Sequence, residues 1–455
     1  NRIYKGGEFM QQYLFPRSFK TNYLEADCGE GIYIYDKQGK RYLDGCSGAL
    51  ISNLGHCNRE IVAAVEKQFG RLEFAHPSRW RTDIAEEAAA AVAETASGDL
   101  DNVWFVSGGS EAIETALKLA RQYYVERDGE GSGKHVTIGR WNSYHGSTIG
   151  TMAVAGSMAR RRVFSPLFKE SPKIPSTYCY RCHFHEQYPQ CGLLCARALE
   201  EMIQIIGAQY VSSFIAEPIV GSTVGAVVPP DGYWPMVREI CDRYDILLIA
   251  DEVMTGCGRT GKNFCVDHWN VVPDIIATAK GMAAGYVPTG GIIARNHIIE
   301  AIKNGSGAFM HGHTYNGNPM SAAAVAAVFK YMKEHKVVEN AAKMGELLGT
   351  MLKDIGEESS IIGEVRGKGL MWGFEVVKSK ALKEPFDKKI AAANAVTKAC
   401  IEEGLIIYPG NGQIAGTCGD NFMIAPPLII TESQVEELLE KFRNGIKRAE
   451  YALAK

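Results

Sequence analysis

The stretch Asn102-Val103-Trp104-Phe105-Val106-Ser107-Gly108-Gly109-Ser110-Glu111 changes character in its middle. A largely apolar run enters a turn of two hydroxyls and two glycines. Beyond it Ala112, Ile113, Ala116, Leu117, Leu119 and Ala120 recur near a 3.6-residue period. The order is strand, turn, helix. Further along, Phe214-Ile215-Ala216 and Ile246-Leu247-Leu248-Ile249-Ala250 are apolar without alternation. Such runs fit parallel strands covered on both faces by helices. Upstream, residues 32–35 and 41–44 flank Asp36-Lys37-Gln38-Gly39 and read as a hairpin. After about residue 320 the chain turns helical and then mixed. Its last helix opens with the capping-box pattern Thr431-Glu432-Ser433-Gln434 and buries Val435, Leu438, Leu439, Phe442 and Ile446. The expected fold is α/β. Residues 60–320 form a large domain with a mostly parallel sheet flanked by helices. Residues 1–59 and 321–455 together form a smaller α+β domain.

The chain has 455 residues, 46% hydrophobic and 22% charged, with a net charge of −3. That balance gives no reason to expect a nucleic-acid or anionic-membrane partner. No apolar run approaches the roughly 20 residues that span a bilayer. The opening Asn1-Arg2-Ile3-Tyr4-Lys5 lacks signal-peptide character. Twelve scattered cysteines in a chain this long are not a secreted disulfide scaffold. Cytoplasm is the expected location.

Three polar features fall at the ends of apolar strands, where open α/β sheets place their ligands. Ser107-Gly108-Gly109-Ser110 offers free amides at a helix start, a phosphate cradle or a plain capped turn. Asp251-Glu252 ends a buried strand. A carboxylate there is a metal ligand, an acid–base group, a counter-ion to a cofactor nitrogen, or simply a cap or salt bridge. Glu217-Pro218 repeats that arrangement. Lys280 stands in Asp274-Ile-Ile-Ala-Thr-Ala-Lys-Gly-Met-Ala-Ala-Gly285, a small-residue run without another cation. It either lies along a packed wall or is a desolvated nucleophile. Together the three suit pyridoxal 5′-phosphate (PLP), which needs a phosphate grip, a carboxylate at its pyridinium nitrogen and a lysine at its aldehyde.

The sequence resembles the class III (ω-amino acid type) aminotransferases, with the fold type I architecture of PLP-dependent transferases. The likeness runs from about residue 25 to 450. It is carried by Leu43-Asp44-Gly45 with Asn53-Leu54-Gly55-His56, by 107–115, and by Tyr144-His145-Gly146-Ser147-Thr148. Glu217-Pro218, Ala250-Asp251-Glu252-Val253, Gly258-Arg259-Thr260-Gly261, Pro273-Asp274, Lys280-Gly281, His313-Thr314-Tyr315 and Ala425-Pro426-Pro427 continue it. The resemblance implies that Lys280 forms the Schiff base and moves the proton, and that Asp251 pairs with the pyridinium nitrogen. It implies that Tyr144 and Val253 flank the ring and that Gly108, Gly109 and Ser110 hold the phosphate. His145 and Glu217 fall in its cofactor-binding set. Thr314 would reach the phosphate of a neighbouring subunit, so a homodimer is implied, with a tetramer left open. The implied reaction takes an amino group from an amine or ω-amino acid to a 2-oxo acid, pyruvate above all. Related racemases, epimerases and aminomutases supply the alternative.

Several positions depart from relatives. Ser147 and Ser222 stand where γ-aminobutyrate or ornithine aminotransferases carry an arginine and a glutamate. The likeness is therefore to the ω-amino acid:pyruvate and amine:pyruvate branch. Gly416, two residues before Cys418-Gly419-Asp420, replaces that branch's mobile arginine, and Leu50 replaces a tryptophan. Arg79 and Arg81 are left as candidate carboxylate partners, against a plain reading as a solvated helix start. Separately, Cys179, Cys182, Cys191 and Cys195 are spaced C-x2-C, x8, C-x3-C, within reach of a structural zinc staple; an iron–sulfur cluster is conceivable. The plain reading is a loop of reduced thiols, with His183 and His185 uninvolved.

Overall fold

Runs of apolar residues that do not alternate bury both faces only inside a sheet with helices on each side. In the computed structural model, which describes residues 13–454 and the backbone of 2–5 and 8–11, this is where they lie. Asn1, where the stretch read for a leader begins, lies outside the described residues. A seven-stranded sheet runs in the order Leu100–Val106, Gly290–Arg295, Ile275–Ala279, Leu247–Asp251, Val211–Ala216, Val136–Arg140, Lys173–Ile174. Every residue of Val211–Ala216, Leu247–Asp251 and Ile275–Ala279 is buried. Within the middle strand Leu247 and Ile249 pack with the helix Gly109–Asp128, while Leu248 packs with Trp234 and Val237 on the opposite face.

The sheet is parallel except at one strand. Gly290–Arg295 runs antiparallel to both its neighbours. Only residues 280–289 join it to Ile275–Ala279, too few for the dozen or more residues of a crossover. The other strands all end at one edge, and Gly290–Arg295 begins there. That edge therefore collects residues 107–110, 144, 217, 251 and 280, together with residue 289.

The expected hairpin forms from Tyr33–Asp36 and Arg41–Asp44, and Leu405–Ile406 pairs parallel with the latter. The last helix is Glu432–Leu453. Thr431 and Gln434 close its capping box reciprocally, and the five expected residues are buried. Among the described residues, no helix is long and apolar enough to cross a membrane.

Candidate active site

A cavity of about 260 Å³ opens at the shared strand edge. Gly108, Gly109, Ser110, Tyr144, His145, Glu217, Asp251, Val253 and Lys280 all line it. Residues as distant in sequence as Gly108 and Lys280 meet because each follows a strand of one sheet.

The helix Gly109–Asp128 starts with no side chain capping its first amides. Glu111 accepts instead from the Ser107 amide at 2.8 Å, which leaves the amides of the turn facing a site rather than a cap. Gly109 is closely packed: a Cβ there would come within 3.0 Å of Val253 Cγ1. Gly146 has φ +132, and a Cβ would meet Ser110 Oγ at 2.6 Å. The two glycines let the Tyr144 loop and Val253 close on the helix start.

Lys280 follows its strand in a single 3-10 turn with φ +44, a left-handed backbone that costs a side-chain-bearing residue about 1 kcal/mol or more. Among the described residues its amine has no hydrogen-bond or ion-pair partner. Burial lowers its pKa to about 8; Asp251 opposes that shift, and Arg160 adds to it. At neutral pH an appreciable fraction of the amine is unprotonated.

Asp251 is 3% exposed. Its Oδ2 lies 2.7 Å from His145 Nδ1, and its Oδ1 accepts from the Val253 amide at 3.1 Å. His145 Nε2 is buried without a partner among the described residues. Glu252 is used differently. It accepts from Thr255 and from the Val266 amide, tying down the following loop. The neighbouring carboxylates thus have separate duties. Glu217 accepts weakly from the amides of Tyr144 and Gly221, both at 3.3 Å. Burial raises its pKa to about 7, with His145 opposing and Asp251 adding to the rise.

Thr314 does not reach this cavity. It lines a second one with His76, Trp104, His311 and His313. Leu50, placed by resemblance at the substrate wall, is 1% exposed in the core, and its neighbour Ile51 lines the cavity. Arg79 and Arg81 are exposed and line no part of it. Thr289, Met254, Val287 and Pro288 join the lining without a sequence signal. Thr289 arrives because the antiparallel strand starts at this edge.

The zinc staple finds no support. Cys179, Cys182, Cys191 and Cys195 line one small cavity, yet among the described residues no group of three or more His, Cys, Asp or Glu is disposed to hold a metal ion. All four thiols are unpaired, and His183 and His185 are exposed. Burial raises the pKa of Cys195 to about 11 and moves Cys179 the same way, with the neighbouring thiols of the group adding to the rise. The loop is held by other groups. Tyr178 and Arg181 both bond to Glu375, which is fully buried, and Arg366 reaches the same carboxylate at 3.2 Å.

A family description, Aminotransferase class-III, matches residues 15–446. The chain belongs to the class III aminotransferases. It is 39% identical over 446 residues to an uncharacterized aminotransferase of Bacillus subtilis, covering 98% of this chain and 100% of that one. It is 35% identical to the putrescine–pyruvate aminotransferase of Pseudomonas aeruginosa, covering 93% of this chain and 90% of that one. The crystal structure of an amine transaminase from an uncultivated Pseudomonas species, in its PLP-bound form, superposes with a TM-score of 0.88 at 33% identity. That match covers 96% of this chain and 99% of the other. This class III aminotransferase is thus a PLP-dependent enzyme of fold type I.

Proposed function

We propose that the enzyme moves an amino group from an amine or ω-amino acid to a 2-oxo acid, with pyruvate as acceptor, and that Lys280 carries the cofactor. One observation carries the reading: Lys280 and Asp251 meet in a single cavity whose other walls are Tyr144, Val253 and an uncapped helix start. These residues fit PLP. The free amides of Gly109 and Ser110, with Gly108 alongside, would take its phosphate, and the Lys280 amine, partnerless and of lowered pKa, its aldehyde. Asp251, steadied by His145 and the Val253 amide, would face its ring nitrogen. Tyr144 and Val253 would flank the ring.

When bound, PLP supplies an electron sink for the pair left as the donor's Cα–H bond breaks. Lys280 Nζ takes the proton from Cα and returns it, a task its pKa near 8 suits. Asp251, held by His145 and the Val253 amide, would offer its carboxylate to the cofactor's ring nitrogen. Glu217 sits in the wall near Asp251 as a polar brace. The apolar wall of Ile51, Val253 and Met254 limits water around the reacting atoms.

A homodimer belongs to the same reading. Thr314 lies outside its own chain's cavity, where a residue serving a second copy would be. Tyr13, Leu14, Phe15 and Phe19 are each more than 70% exposed, an apolar strip suited to a subunit contact. The proposed division is an N-terminal segment (1–59), a PLP-binding domain (60–320) and a C-terminal domain (321–455). It is supported at one joint by the pairing of Leu405–Ile406 with Arg41–Asp44. A cytoplasmic location accords with twelve unpaired cysteines.

The test is chemical. Borohydride treatment of the PLP-loaded protein, followed by digestion and mass spectrometry, should place a reduced cofactor adduct on the peptide containing Lys280. An adduct on another lysine, or none, defeats the assignment. A panel of amines and 2-oxo acids then identifies donor and acceptor. Exchange of the Cα proton with no need for a 2-oxo acid would move the enzyme to the racemase and aminomutase alternative.

A further inference from the structure

A 2-oxo acid brings a carboxylate into a largely apolar cavity, where an unpaired charge is costly. The positions at which relatives supply a cation or manage one are here Ser147, Ser222 and Gly416. Two of these departures converge on one residue. Arg160 lies on the short helix Met158–Arg161, and its Nη1 donates to Ser222 Oγ at 3.0 Å. Its guanidinium carbon lies 4.5 Å from the centre of the Tyr144 ring. Gly416 packs against the same helix: a Cβ there would stand 2.4 Å from Met158 Cβ and 3.3 Å from the Ala159 nitrogen. The absent side chain at 416 is what lets the helix bearing Arg160 sit so close to that loop.

Arg160 is also uncommitted. Its neighbour Arg161 pairs with Glu170, whereas among the described residues no carboxylate pairs with Arg160. Apart from the Ser222 bond and the Tyr144 ring, its donors have no partner among the described residues. Its charge is felt at Lys280. Arg160 does not itself line the cavity, but the Tyr144 ring it rests on does; a half-buried guanidinium without a counter-ion there is matched to an incoming carboxylate, which its fork can bind through two parallel hydrogen bonds.

We propose that Arg160 binds the substrate carboxylate, with the Tyr144 ring as its platform and Ser222 as its holder, in place of a cation from position 416. This rests on the reading of the Lys280 cavity as the transamination site. A single such cation favours monocarboxylate acceptors, and an amine donor without a carboxylate does not engage it.

The experiment uses the PLP-loaded enzyme and two probes. Propionate, a non-reacting carboxylate, is titrated by the change in cofactor absorbance. Pyruvate and a carboxylate-free aldehyde are compared as amino acceptors. Arg160→Gln should weaken propionate binding and raise the KM for pyruvate about 30- to 100-fold, the range for losing charge-assisted hydrogen bonds. The pyruvate-to-aldehyde ratio of kcat/KM should fall by a similar factor, and kcat at saturating pyruvate far less. Arg160→Lys, which keeps the charge and loses the fork, should recover part of the binding. This second variant keeps the test decisive should Arg160→Gln fail to hold PLP: a Lys variant with wild-type propionate affinity and acceptor ratio would overturn the proposal. So would an Arg160→Gln enzyme with a normal cofactor spectrum and unchanged propionate binding. Failure of the underlying reading looks different, because the wild-type protein would then yield no Lys280 adduct and no transamination with any acceptor.

Discussion

Two regions of this chain carry dense, motif-like spacing, and the fold treats them differently. Lys280, Asp251, Glu217 and the 107–110 turn are scattered over more than 170 residues but gather around one cavity. Cys179, Cys182, Cys191 and Cys195 fall within 17 residues and do line one hollow, yet they form no ligand set. The difference lies in what positions each group. The first set hangs from the ends of rigid, buried strands. The second sits on a loop braced by the Glu375 network. Short sequence spacing is weaker evidence than attachment to a common sheet edge.

The comparison can be broken in several ways. The largest effect is expected at Lys280. Replacing it by alanine should lower turnover by roughly 10⁴-fold, because the proposed nucleophile and the proposed proton carrier would be lost together; a residual rate near wild type in stopped-flow assays would overturn that assignment. Next comes the brace of the cysteine loop. Glu375→Ala strands the charge of Arg181, removes one of the two carboxylates at Arg366 and the acceptor of Tyr178, and should destabilise the protein by about 3 kcal/mol. Denaturant unfolding measures this, and a loss below about 1 kcal/mol would mean that the loop is held otherwise.

Glu217 offers a pH-dependent test. In the folded protein its pKa is about 7, against an ordinary 4.5. Between those values the folded state binds the extra proton, so this group's contribution to stability falls as pH rises. Glu217→Gln removes that fall. Relative to wild type, the PLP-free variant should gain on the order of 3 kcal/mol between pH 4.5 and 7. Parallel stability–pH curves for the two proteins would show that Glu217 is ionised like a surface carboxylate. Smallest is the change expected at Cys182, which is half-buried in the lining of its hollow. Cys182→Ser, or dialysis of the wild type against a chelator, should alter stability by less than about 0.5 kcal/mol. A chelator-induced drop of several degrees in Tm would restore a metal to that loop.

Much of this was legible beforehand. The unbroken apolar runs at 214–216 and 246–250 fitted a doubly covered sheet, and both are buried strands of one. The final helix declared its start through Thr431 and Gln434 and its inner face through Val435 to Ile446. The residues now around the cavity were named because strand ends are where a sheet presents polar groups. Other features could not be read. Arg160 stands among three consecutive arginines that look like surface charge, and only the contact with Tyr144 and Ser222 singles it out. Thr289 has no motif around it. Leu50 and Ile51 differ by one position in register, and one is core while the other is wall.

The amino-acid sequence by itself determined the layered α/β architecture, the family, and which lysine and which aspartate belong together, because these rest on local periodicity and on residue chemistry at fixed places. The tertiary structure alone decided the reversal of the Gly290–Arg295 strand, the separate duties of Asp251 and Glu252, the gathering of the cysteines around a hollow without a metal-holding set, and the placing of an arginine without a carboxylate partner beside the cavity. Each of those depends on which groups are desolvated together and which partner is nearest in space, and neither quantity is written in spacing along the chain.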